Sequence, residues 1–120
     1  MESFVNFLDA SFRSKDSCKT LLRRVRSGTG NLDSESFIAT ANVATDDMLG
    51  YVTRLRMLAR PEVIKAARDL VRQNKSYIAL ACGDLTAVTD DADSAIRRDI
   101  EKARDDFVLI AKKEMSLPWS

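Results

Sequence analysis

A chain of 120 residues, 45% of them hydrophobic, with a net charge of +1 and no histidine, can bury one core without disulfides or metals and reads as one domain over 1–120, whole or cut from a longer protein. The missing histidine excludes many chemistries together, because histidine is the side chain best placed to exchange protons near neutral pH and the commonest transition-metal ligand. No Ser-His or Cys-His nucleophile pair, His-containing zinc site or Glu-x-x-His di-iron motif can be built, and two cysteines cannot make a four-cysteine site. Neither an enzyme nor a cofactor or metal site is expected.

The first predicted helix runs from about 2 to 27. Phe4, Val5, Phe7, Leu8 and Phe12 form a dense apolar end, Leu21, Leu22 and Val25 form another, and Arg13-Ser14-Lys15-Asp16-Ser17 between them is polar. That polar run leaves room for a kink near Ser14 to Ser17. Gly28 can adopt the left-handed conformation that closes a helix, and Gly30-Asn31 is turn chemistry. Asp33 or Ser34 caps the next helix.

The second and third helices, about 34–59 and 61–88, organise the rest of the chain. Ile38, Ala41, Thr45, Met48, Val52, Leu55 and Ala59 recur at helical spacing, with Phe37, Ala44, Tyr51 and Leu58 on the flank. Ile64, Ala67, Val71, Asn74, Ile78, Ala81, Leu85 and Val88 repeat the pattern, and Val63, Leu70 and Tyr77 widen it. Pro61 lacks the amide hydrogen that a helix interior needs but suits a first turn, so the two helices meet at Ala59-Arg60-Pro61 as antiparallel neighbours. Gly83-Asp84 either stops the third helix or weakens it, and continuation to Val88 is the reading adopted.

Thr89-Asp90-Asp91 supplies a cap and first-turn acids for a fourth helix, about 90–115, with Ala92, Ile96, Ile100, Ala103, Phe107, Ile110 and Ala111 inward. Four helices of about 37 Å at 1.5 Å per residue, with short connections, make an all-α, antiparallel up-down-up-down four-helix bundle. A helical dimer with exchanged hairpins is the competing architecture. Cys18 and Cys82 sit among apolar helix positions without a signal peptide and read as buried thiols of a cytoplasmic protein. No uncharged run approaches the roughly 18 residues of a membrane span, so no membrane insertion is expected.

Charge is distributed in blocks. Residues 10 to 30 carry six bases against one acid, and residues 83 to 106 carry eight acids against four bases. Lys65, Arg68, Arg72 and Lys75 share one face of the third helix, and Lys19, Arg23 and Arg26 lie on the first. These are candidate contacts for a partner or for nucleic-acid phosphates, beside the plainer reading of solvated faces paired with neighbouring acids. With the first and third helices on a diagonal, their stripes open onto different grooves. Asp90, Asp91 and Asp93, with Asp105, Asp106, Asp46 and Asp47, read better as helix-dipole complements than as a magnesium site.

Asn74 interrupts an apolar seam at the height of Thr45 and Lys15, and these three form a candidate polar layer that sets register. Phe4, Phe7 and Trp119 are candidate interface residues, because the first helix carries more apolar breadth than one buried face uses. The function expected is a non-enzymatic helical interaction or assembly module that pairs with another protein or with itself as a dimer. An accessory protein gripping a nucleic-acid backbone is the alternative.

Overall fold

The computed structural model describes residues 2–28, 34–83 and 87–115. Four helices follow in order: α1 (Glu2–Ser27), α2 (Ser34–Leu55), α3 (Pro61–Cys82) and α4 (Asp90–Met115). They pack as an all-α four-helix bundle, elongated and flattened to 58 × 24 × 17 Å. The flattening follows from the packing order. α1 lies along α2, and α4 along α3. α1 also reaches α3 across the diagonal, α1 and α4 meet only narrowly, and α2 and α4 do not touch among the described residues. The cross-section is therefore a rhombus with α1 and α3 on its short diagonal.

α1 runs unbroken through Ser14 to Ser17, where the polar run had suggested a kink. Ser11 and Ser14 are both buried and continue the inward line of Phe7 toward Cys18 and Leu21. The stripe is thus regular once serine is counted as an inward residue. Gly28, at φ 65°, closes the helix and donates its N–H to Val25 O at 3.3 Å, using the left-handed region that a residue with a Cβ would adopt at a cost. The Gly30-Asn31 turn and an Asp33 cap lie outside the described residues.

Two boundaries differ from the sequence expectation. α2 ends at Leu55 rather than Ala59, because its last amides tighten: Met57 N–H bonds to Arg54 O and Leu58 N–H to Leu55 O, one residue short of α-helical spacing. Leu58, expected on the buried flank, is consequently 83% exposed. α3 ends at Cys82 rather than Val88. Gly83 leaves the helix in an extended conformation while its N–H still bonds to Leu80 O, Leu85 lies outside the described residues, and Val88 is half-buried beyond the helix end. Cys82 is exposed, contrary to expectation, because it continues the outward line of Lys75 and Ala79, while Cys18 is buried, and both thiols are free.

The expected start signals hold. Pro61 occupies the first turn of α3, and Thr89 Oγ1 caps α4 by accepting the Ala92 N–H at 3.1 Å. The centre of the core is Val63, Leu70 and Tyr77 of α3 with Phe7, Leu21, Met48, Ile100 and Phe107, all 0 to 1% exposed. Residues placed on the flank of α3 are thus its innermost, and Ile64 is only half-buried.

Candidate functional site

Polar side chains enter the core at two levels. At mid-bundle, Ser11 Oγ donates to Asn74 Oδ1 at 2.7 Å, and Asn74 Nδ2 donates back to the Ser11 carbonyl at 3.1 Å. Thr45 Oγ1 donates to Ala41 O at 2.9 Å, so Ser14 Oγ is the donor to Thr45 at 3.1 Å. All four residues are at most 2% exposed. Because a buried amide or hydroxyl without a partner costs about 1 to 3 kcal/mol, these bonds tie α1 to α2 and α3 in one register. Of the three residues expected in a polar layer, Thr45 and Asn74 are buried at this level and Lys15 is not. Serines hold its place, since α1 turns Ser11 and Ser14 inward and carries Lys15 to the rim, where its Nζ lies 3.9 Å from Glu101 and over the Phe12 ring.

The second level joins α1, α3 and α4 around Asp93, which is 2% exposed. Its Oδ1 accepts from Tyr77 Oη. Oδ2 takes Arg26 at 2.7 Å and Arg97 at 3.2 Å, and Arg26 also holds Asp90 at 2.7 Å. Burial opposes ionisation of Asp93, but hydrogen bonds from Tyr77 and Arg26 and the charges of Arg97 and Arg26 outweigh it, holding the carboxyl below its ordinary value. The same bond raises Arg26. Tyr77 is raised by burial and by its bond to Asp93. Burial, with smaller contributions from Cys82 and Asp93, pushes the Cys18 thiol up to about 12, which suppresses its nucleophilic form. Asp93 lies in the first turn of α4, as expected, and is also the deepest charge among the described residues. A signal was available: Asp93, Arg97 and Ile100 share one stripe, which places the carboxylate inward with a cation one turn on.

No group of three His, Cys, Asp or Glu suited to a metal ion occurs among the described residues. Asp46 and Asp47 stand exposed on α2, where Asp47 lies 3.6 Å from Arg13.

The basic candidates of α3 share a surface that Arg26 of α1 does not join. Lys65, Arg68, Arg72 and Lys75 are exposed along α3, with Arg72 paired to Asp69. Lys65 and Arg72 border a trough against Asp99, Lys102 and Asp106 of α4. Arg68 joins Lys65 and Arg72 on a groove beside the α2–α3 turn, shared with Arg56, Ala59, Pro61, Ile64 and Asp69. On α1, Lys19 is half-buried, Arg23 is exposed, and Arg26 is committed to Asp90 and Asp93 at the opposite end of the bundle from Lys65.

The apolar candidates separate as well. Phe7, placed at the interface by sequence, is fully enclosed, its ring 4.9 Å from that of Phe107. It belongs to the core of its own bundle because α4 packs directly over it. Phe4 is half-buried, edge-on to Phe107 at 5.8 Å, and Trp119 lies outside the described residues. Left open instead are Val5, 63% exposed, and Phe12, 55% exposed. With half-buried Leu8 they stand at i, i+3, i+7 spacing, and Phe4, Val5 and Leu8 face Phe107, Val108 and Ala111 across a shallow apolar groove between α1 and α4. No protein-family model matches the chain, and no curated protein or solved structure matches it either.

Proposed function

We propose that the protein is a non-enzymatic helical interaction module that associates with a second copy of itself through the α1–α4 face. The observation that supports this is the apolar line Val5, Leu8 and Phe12 on α1, of which Val5 and Leu8 line the groove where α1 and α4 meet only narrowly. A helix laid along such a groove presents residues at the same spacing, and α1 of a second molecule carries that spacing itself. Charges beside the line alternate in sign, with Asp9 and Arg13 on one flank and Lys15 with Glu101 on the other, which suits a two-fold arrangement that sets each sign against its opposite. The registering serines, asparagine and threonine lie inside the bundle and keep the face rigid.

Sedimentation of the wild type and a Phe12→Glu variant tests the reading. Phe12 lies outside the core, so the variant keeps its helical content and becomes a monomer. A wild type that remains monomeric at high micromolar concentration refutes it. The nucleic-acid reading has less support, because Arg26 of α1 is committed to Asp90 and Asp93 at the opposite end of the bundle from Lys65.

A further inference from the structure

The most exposed large apolar side chains in the described structure are neither on α1 nor on α4. They are Met57, 85% exposed, and Leu58, 83% exposed, at the apex of the α2–α3 turn. The backbone there is fastened on both sides. Ala59 N–H bonds to Leu55 O at 2.7 Å, Val63 N–H to Arg60 O at 3.0 Å, and Arg60 N–H to Glu114 Oε1 of α4 at 3.0 Å. A braced turn therefore holds two aliphatic side chains into solvent.

Cations flank this apex along the chain. Arg54, Arg56 and Arg60 flank it and are exposed, and Lys65, Arg68 and Arg72 follow along α3, against Glu62 and Asp69 as the acids of the same stretch. Asp69 is engaged by Arg72, and Arg54 lies over the Tyr51 ring at 5.4 Å. Among the described residues, the charged side-chain groups of Arg56, Arg60, Lys65 and Arg68 have no carboxylate within ion-pair distance. A small aliphatic point flanked by exposed cations matches the layered chemistry of an anionic bilayer, in which phosphates lie above hydrocarbon. A nucleic-acid strand would satisfy the arginines but offers nothing to two aliphatic chains, and strand binding draws on aromatic stacking platforms. Two side chains are also too few for the buried centre of a protein interface.

We propose that the α2–α3 turn docks the bundle on an anionic lipid surface, with Met57 and Leu58 entering the headgroup layer while Arg54, Arg56 and Arg60 meet lipid phosphates. No described helix is long and apolar enough to cross a membrane, so the contact is peripheral, with the bundle standing on one end. This is independent of the α1–α4 face.

The test is co-sedimentation of the full chain with vesicles of phosphatidylcholine, with and without phosphatidylglycerol, at low and high salt. Binding is expected to the anionic vesicles. Arg56→Gln with Arg60→Gln weakens it about 30-fold, from roughly fivefold for each cation near such a surface. Met57→Ser with Leu58→Ser weakens it at least about tenfold without altering the thermal melt, because neither side chain packs in the fold. In a Trp119→Phe background, the fluorescence of a Leu58→Trp variant is quenched by brominated lipid. Absence of binding to anionic vesicles overturns the proposal. So does binding that survives the Met57 and Leu58 changes, or a single-stranded polynucleotide bound by the same arginines in place of vesicles.

Discussion

Replacing Asp93 by Asn tests whether the carboxylate joining α1, α3 and α4 acts through its charge. The variant keeps the volume and one oxygen that can accept from Tyr77, but it removes the charge facing Arg26 and Arg97 and aims an amide N–H at guanidinium donors. Breaking a buried ion pair costs about 3 to 5 kcal/mol when the stranded partner stays buried. Here the Arg26 side chain is 38% exposed and that of Arg97 29%, so both can turn partly to water, and the expected loss is about 2 to 3 kcal/mol. For a chain of this size that lowers Tm by about 10 °C. Urea unfolding followed by circular dichroism at neutral pH gives the difference directly.

The pH dependence supplies a second, independent reading of the same variant. Because the folded-state value of Asp93 is lowered, its contribution is fully present above the ordinary carboxylate range and is lost as pH falls through the lowered value. The gap between wild type and Asp93→Asn therefore narrows below about pH 4. A variant as stable as the wild type at neutral pH, or a gap that stays constant into acid, refutes the assignment.

Phe7→Ala empties a position that is 0% exposed beneath Phe107 and is expected to cost about 3 to 5 kcal/mol, whereas Phe12→Ala should change monomer stability by no more than about 0.5 kcal/mol. Equal losses in thermal melts at low protein concentration would mean that α1 is rotated from the orientation described. At alkaline pH the raised groups act in the opposite sense to Asp93. Cys18 is pushed from an ordinary 9.0 to about 12, so stability present below pH 9.0 declines as pH rises toward the folded value. Urea midpoints at roughly pH 8 and pH 11 should fall apart for the wild type and draw closer in Cys18→Ala. An equal decline in both would show that the thiol is not the group responsible.

Much of the architecture is local information. Four apolar stripes at helical spacing, a proline in the first turn of α3, a glycine able to close α1 and a threonine ahead of α4 specify the number, order and direction of the helices without reference to any partner. The spacing also marks the inward side of α2 and α3, from Ala41 to Leu55 and from Val63 to Ala81. In a helix, a stripe fixes the angle of each side chain by covalent geometry alone.

What faces that stripe is not local. Phe7 and Phe12 belong to the same apolar end of α1, and only the position of α4 decides that Phe7 is enclosed and Phe12 open. Ser11 and Ser14 could be buried only because Asn74 and Thr45, 63 and 31 residues away, arrive with matching donors and acceptors, and sequence favours the more conspicuous Lys15 as the polar member of that layer. Asp93 is carried inward because Arg26, 67 residues distant, and Tyr77 reach it together. The ends of α2 and α3 were decided the same way, since apolar spacing continues to Leu58 and Val88 while the helices stop where the backbone of the turn and Gly83 leave helical geometry. Periodicity states which way a side chain points, and the free energy of pointing there depends on groups brought from elsewhere in the chain, so tertiary packing alone settles which polar residues can be buried and which apolar residues are left to solvent.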